Sequence, residues 1–506
     1  MKEKIKRNIL PITFAVLLFT LFFTDLLKRF PTNLDELWNF NTARCIKNGL
    51  IPYKDISMIT TPLLPTIVSV LLKITADQLL VFRVIHALLI CGIFYLTYRL
   101  FLKFKINKII SVTFTFLISS TFYHNTFLDY NYGCLLLMLI IENIELKDIE
   151  KNKNTNYLIG LLAGLSILTK QTLGVFICLY TIIIPFITQQ DKSIKEKLKI
   201  TLKRILGISI PCVLFLVYLL ITKSLLDFIN YAVLGIKTFT NSITYVQMIK
   251  TLSGFKQVLA VIVPIAIIIQ IILIPILKNK KYNIAIISSL PMLIVLYPIC
   301  DYTHFLVGTL IILVNLFIAV WLILKRVESK IITTSKNKKD EAYRKFLKTS
   351  IEVFLILIMI YLSLIQIRKN IIEYKQRYDS NIIITHYENI PLTKNNKQIN
   401  EELKAFYDIK KKEGYTVIIV DADACFYTIP LEVYNKNYDM FLKGNIGKDG
   451  EDGIIENIKS SSKTIYLLKN KGISLNWQTP TKVLDYIRNN LEKTEEFNIF
   501  EVWKKE

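Results

Sequence analysis

The stretch LDELWNFNTARCIKNGLIPYKDISMITTPLLPTIVSVL, residues 34–71, decides how the chain is read. Paired carboxylates, Asp35 and Glu36, follow Asn33, and the spacing predicts a capped amphipathic helix from Asp35 to Asn48 that Gly49 stops. IPYKD breaks the chain, and Pro62 then opens an apolar run to Ile74. That run is shorter than the roughly 20 residues that cross about 30 Å of hydrocarbon, so a re-entrant or interfacial helix is expected. Residues 8–27 before the stretch and 79–101 after it do have the length of membrane helices. The stretch is therefore a loop at a membrane surface.

Nine more segments continue the pattern: 109–124, 131–146, 156–169, 172–188, 205–222, 257–277, 282–300, 304–324 and 349–367. The expected fold is an all-α polytopic membrane protein of about 11 spans with external juxtamembrane helices. Composition agrees, because 52% of the 506 residues are hydrophobic and 20% charged, with mean hydropathy +0.42. One compact core could not bury so much apolar side chain, and the same values exclude intrinsic disorder, a collagen-like repeat and a small disulfide scaffold. The cysteines at 45, 91, 134, 178, 212, 300 and 425 form no CxxC pair and read as small hydrophobes. MKEKIKR precedes the first span without a small-residue cleavage site after it, which favours a retained anchor over a signal peptide.

All but one unit of the formal charge of +23 lies in the apolar region. Residues 1–367 carry 41 Lys and Arg against 19 acids, and residues 368–506 carry 22 against 21. Without an interleaved aromatic and basic stripe, no nucleic-acid partner is expected. Alternate loops hold 28 and 11 basic residues, a bias that puts the N-terminus inside and the tail outside a plasma membrane. Two external loops are long, 28–78 and 223–256.

After Ile367, β-rich runs (NIIITHY, YTVIIVDAD, YDMFLKG, KTIYLLK, FNIFEVW) alternate with helical ones (INEELKAFYDIKKKEG, GIIENIKSS, TKVLDYIRNNLEK). This predicts a transmembrane domain over 1–367 and an extracytoplasmic α/β domain over 368–506 with a largely parallel sheet.

Acids expected at the outer boundary are Asp35, Glu36, Asp55, Asp77, Asp129, Asp227 and Asp301. Asp35 and Glu36 could activate a hydroxyl, or simply favour the helix dipole in a first turn. Lys170 and Gln171 occupy a three-residue turn, where the lysine could meet a lipid phosphate or snorkel. Asp301, Tyr302 and His304 form a polar junction before a span, and His86 stands alone inside one. Asp421 and Asp423, at the end of a predicted strand, could hold a metal for a nucleotide sugar, but the charge bias puts them outside, away from cytosolic nucleotide sugars. KGNIGKDGEDG, residues 443–453, lacks the order of a phosphate-binding loop.

The ordered set in residues 34–71, Asp-Glu, amphipathic helix, Gly-x-x-Pro-Tyr-x-Asp, then Pro-Leu opening an apolar helix, resembles the first external loop of GT-C superfamily glycosyltransferases. These enzymes, including protein O-mannosyltransferases and aminoarabinose transferases, use sugars linked to polyprenyl phosphate. GLSILTKQTLGVF and YPICDYTHFLVG resemble later boundary segments of the bacterial branch, so the likeness covers about residues 8–325. It implies transfer of a sugar to an envelope glycan, lipid or protein, with Asp35 as general base and Glu36 beside it. Lys54 and Lys170 are expected on the donor phosphate ahead of Arg44, with Gln171, Asp301, Tyr302 and His304 as substrate contacts. Asp129 matches the superfamily's second acidic position and could share magnesium, manganese or calcium with Asp35, although no ligand spacing assigns a metal. Aminoarabinose transferases carry Lys-Pro where this chain has Thr61-Pro62, and an Arg where it has Trp38, so their phosphate scheme does not transfer intact. A lipid-linked sugar flippase and a non-enzymatic envelope assembly protein are the alternatives.

Overall fold

The computed structural model describes residues 2–147, 155–190, 192–239, 242–332, 338–379, 384–470, 472 and 478–506. The first half contains α1 (Lys2–Leu27), α2 (Leu34–Lys47), α3 (Leu63–Ile74), α4 (Leu79–Lys103), α5 (Lys108–Phe122), α6 (Tyr130–Lys147), α7 (Thr155–Thr169), α8 (Gln171–Thr188) and α9 (Ile194–Ile221). Then come α10 (Leu225–Phe228), α11 (Tyr245–Thr251), α12 (Gly254–Leu277), α13 (Lys280–Ser289), α14 (Tyr302–Ile332) and α15 (Lys338–Arg377). The C-terminal unit contains α16 (Lys394–Lys412), β1 (Thr416–Ile419), α17 (Ala424–Thr428), α18 (Gly450–Ser460), β2 (Thr464–Lys469), α19 (Thr481–Asn490), β3 (Glu492–Phe497) and β4 (Phe500–Lys505).

Among the described residues, seven helices are long and apolar enough to span a membrane: parts or all of α1, α4, α8, α9, α12, α14 and α15. The chain is thus multi-pass. The other four expected spans take different forms. Segments 109–124 and 156–169 fall in the 15-residue helices α5 and α7, and 131–146 lies in α6, which carries Glu142 and Glu145. Segment 282–300 breaks at Leu290 between α13 and a 3₁₀ turn, Pro291–Leu296, because proline has no amide hydrogen to continue the ladder. Helix α3, with 12 residues, rises about 18 Å and cannot cross the hydrocarbon.

Local chemistry sets α2. The Asn33 side chain accepts the Glu36 amide at 2.8 Å, acids occupy the first turn, Arg44 and Lys47 the last, and Gly49 leaves in the left-handed region at φ +92°.

The strand order is β1-β2-β4-β3. Only β1 and β2 are parallel; β2 with β4 and β4 with β3 are antiparallel, so the sheet is mixed and not largely parallel. The cause is a hairpin: Asn498, at φ +50°, turns EEF back onto FEVW, and Glu492 onward pairs where a longer helix was expected. YDMFLKG forms turns, and residues 380–383 of the NIIITHY region lie outside the described residues.

The C-terminal unit shares a continuous apolar core with the first loop. Leu37, Trp38 and Phe40 of α2 and Val68 of α3 pack with Ile419, Ala422, Phe426 and Leu442. The Trp38 indole also donates Nε1–H to the Ala422 carbonyl at 2.9 Å. Loop and tail therefore lie on one side of the spanning helices.

Candidate active site

A cavity of about 1230 Å³ lies where α2, the start of α8, the segment before α14 and the C-terminal unit meet. Asp35, Tyr130, Lys170, Gln171, Asp301 and His304 line its polar end. Val175, Phe176, Ile236, Phe239, Ile243 and Ile294 line an apolar arm, and Asp423, Asn396 and Gln478 belong to its C-terminal wall. Five of the ten expected site residues thus converge, although Asp35 and His304 are 269 positions apart in the chain.

Asp35 is partly accessible, from the cavity side, at the first turn of α2. Burial pushes its carboxyl up to about 7, with Asp129 and Asp301 pushing the same way and His304 and Lys170 opposing them. Asp129 is buried in the turn before α6, where it accepts the amides of Asn131 and Tyr132, the latter at 3.3 Å. Burial raises its pKa too, against those hydrogen bonds and the charges of His304 and Lys170.

Lys170 is the N-cap of α8. Its ammonium donates to Asn131 Oδ1 at 2.8 Å and sits 4.8 Å over the Tyr130 ring. Burial lowers its pKa, while Asp129 and Asp35 raise it. Asp301 Oδ2 lies 2.9 Å from His304 Nδ1, and Oδ1 accepts the His304 amide at 2.8 Å. Burial alone would raise Asp301, but its bonds to His304 bring it below the usual carboxylate range. Gln171 works as a strut, donating to the carbonyls of Ile59 and Ala232 at 2.6 and 3.1 Å.

Five expected site residues do not line this cavity: Asp129, buried in its turn, and Glu36, Arg44, Lys54 and Tyr302. Glu36 faces away and pairs with Arg83, a buried partner 47 positions on, at 2.7 Å. Arg44, in the last turn of α2, reaches Asp77 at 3.4 Å and His386 at 3.3 Å. Lys54 is exposed, and its carbonyl accepts the Lys436 ammonium at 2.5 Å. Tyr302 stacks on Phe305 with Lys256 over its ring. His86 is buried edge-on to Tyr132.

Among the described residues, no three His, Cys, Asp or Glu side chains converge to hold a metal ion, and the donor set does not fit one. Asp129 is spent on backbone amides and Lys170 already supplies positive charge beside it. The Asp421 and Asp423 pair does not fit one either, since the Lys469 ammonium binds Asp423 and lies 3.9 Å from Asp421.

Sequence reading missed Tyr130, Asn396 and Gln478, and singled out Asp423 only as half of a metal-binding pair. FLDYNYG marks the neighbourhood of Tyr130, but nothing local announces that Asn396 and Gln478 meet Asp35 across the cavity.

No protein-family model and no curated protein sequence matches the chain. Among solved structures it is similar to the oligosaccharyltransferase of Archaeoglobus fulgidus in its apo form, with 11% identity and a TM-score of 0.44 over 83% of this chain. The match spans 63% of that protein's length. At this level of likeness the functional argument rests on the cavity itself.

Proposed function

We propose that the chain is a glycosyltransferase that moves a sugar from a polyprenyl-phosphate carrier to a hydroxyl acceptor, at the outer face of the membrane, with Asp35 as general base. The observation that carries this reading is one cavity whose polar end brings the Asp35 carboxyl, pushed up to about 7, together with Lys170 and His304, and whose remaining lining is largely apolar. Its volume exceeds the roughly 300–1,000 Å³ of a single small-ligand site, which suits two substrates.

In this mechanism the acceptor oxygen attacks the anomeric carbon and Asp35 takes the hydroxyl proton. The bond from that carbon to the phosphate oxygen breaks, and polyprenyl phosphate leaves with the bonding electrons. Lys170 and the free amides at the start of α8 face the developing phosphate charge, with His304 able to add a hydrogen bond. A base with a pKa near 7 is half ready at neutral pH and still strong enough to accept a proton. The prenyl chain would follow the apolar arm past Phe176 and Ile294.

The test is to reconstitute the protein in liposomes with a panel of polyprenyl-phosphate sugars and an envelope extract. Release of free polyprenyl phosphate is expected. Consumption of nucleotide sugars with no use of any polyprenyl donor would overturn the reading.

A further inference from the structure

We propose that the turn after β1 builds a saccharide-binding subsite on the C-terminal wall of the cavity, which makes the acceptor a glycan. Asp423, Asn396 and Gln478 would bond ring hydroxyls there, with Tyr427 and Phe426 as the apolar side. The inference rests on the glycosyl-transfer reading and names the class of acceptor.

Four observations converge. Asp423 lines the cavity; its Oδ2 is held by Lys469, whereas its buried Oδ1 has no hydrogen-bond partner among the described residues. A buried carboxylate oxygen left unpaired is costly, so a donor on a ligand is the natural complement. Lys469 already neutralises the carboxylate, which favours a neutral hydroxyl over an ammonium group or a metal ion. Second, the amides of Asn396 and Gln478 belong to the same wall, and carboxylate plus amide side chains beside aromatic rings can meet both the hydroxyls and the apolar face of a pyranose. Third, the turn lies at the C-terminal end of β1, whose partner β2 is parallel, the place where α/β sheets take ligands. Fourth, the Trp38 bond to Ala422 ties this turn to α2 one helical turn after Asp35, fixing subsite and base together.

The probe is a panel of methyl pyranosides of glucose, galactose, mannose and N-acetylglucosamine, with a serine-containing peptide in parallel. Binding to the full chain in nanodiscs is read by saturation-transfer NMR, and binding of undecaprenyl phosphate is measured separately. At least one glycoside should bind. Asp423→Asn should weaken it about tenfold and Asn396→Ala severalfold, with undecaprenyl phosphate affinity unchanged. Asn396→Ala leaves the Asp423 and Lys469 pair intact, so it remains informative if Asp423→Asn misfolds. Glycoside binding that is absent, or equal in wild type and Asn396→Ala, overturns the subsite, as does binding of the peptide alone. Loss of undecaprenyl phosphate binding in wild type would instead defeat the donor assignment, which separates the two failures.

Discussion

Arg83 holds Glu36 with two arms of its guanidinium, Nε to Oε1 at 2.9 Å and Nη2 to Oε2 at 2.7 Å, and both side chains are buried. Nη1 donates to the carbonyls of Leu26 and Arg29 at 2.6 and 2.9 Å. This one arginine joins α4, the end of α1 and the first turn of α2, one residue from Asp35. Glu36 is thereby a positioning residue. Glu36→Ala leaves a buried arginine unpaired and should cost about 3–5 kcal/mol, read as a fall in thermal unfolding temperature in detergent. The pH midpoint of activity in the folded fraction should stay at its wild-type value. A shifted midpoint with unchanged stability would put Glu36 in the chemistry.

The pH dependence follows from Asp35. Its folded pKa is raised from 3.8 to about 7, so the folded chain holds this proton more tightly than the unfolded chain. That contribution to stability is complete below the unfolded value and is lost as pH rises to about 7. Activity should rise across the upper part of this interval, with a midpoint near 7. Asp129→Asn removes a like charge and should move the midpoint down; His304→Ala removes a compensating charge and should move it up. A pH-rate profile for each variant checks both signs.

Donor affinity should depend on Lys170. Losing a charge-assisted contact to phosphate should cost about 1.5–3 kcal/mol, or one to two decades in Kd for a polyprenyl phosphate. Lys54→Ala should bind as wild type does, because Lys54 is exposed and does not line the cavity. Equal losses in both variants would contradict the geometry.

For topology, an impermeant thiol reagent on intact cells should label a cysteine placed at Lys482, on the C-terminal unit, and spare one at Lys199, at the start of α9. Both positions are exposed in the fold. The reverse pattern would put the cavity on the cytoplasmic side.

The capped helix α2 and the short apolar helix after Pro62 were legible because caps, glycine stops and proline starts act over a few residues. So was the alternation that marks the C-terminal unit. The roles of Glu36, Arg44 and Lys54 were not, because each turns on a partner far along the chain: Arg83, His386 and Lys436. The break at Pro291 reads as continuous hydrophobicity until its missing amide is counted. The hairpin at Asn498 resembles a helix end, since a strand edge of Glu492, Lys493, Glu495 and Glu496 carries no apolar alternation. The acids and cations of the cavity were recognisable one by one, whereas their convergence with Asp423 is a property of the shared core under Trp38.

The most direct test of the whole account is single-turnover transfer from a labelled polyprenyl-phosphate sugar by Asp35→Asn, with donor binding measured in the same preparation. The amide keeps the shape and loses the base, so the account expects intact donor binding and a rate lower by about 10² to 10⁴. A rate within about threefold of wild type, with the protein folded and the donor bound, would remove Asp35 as the base.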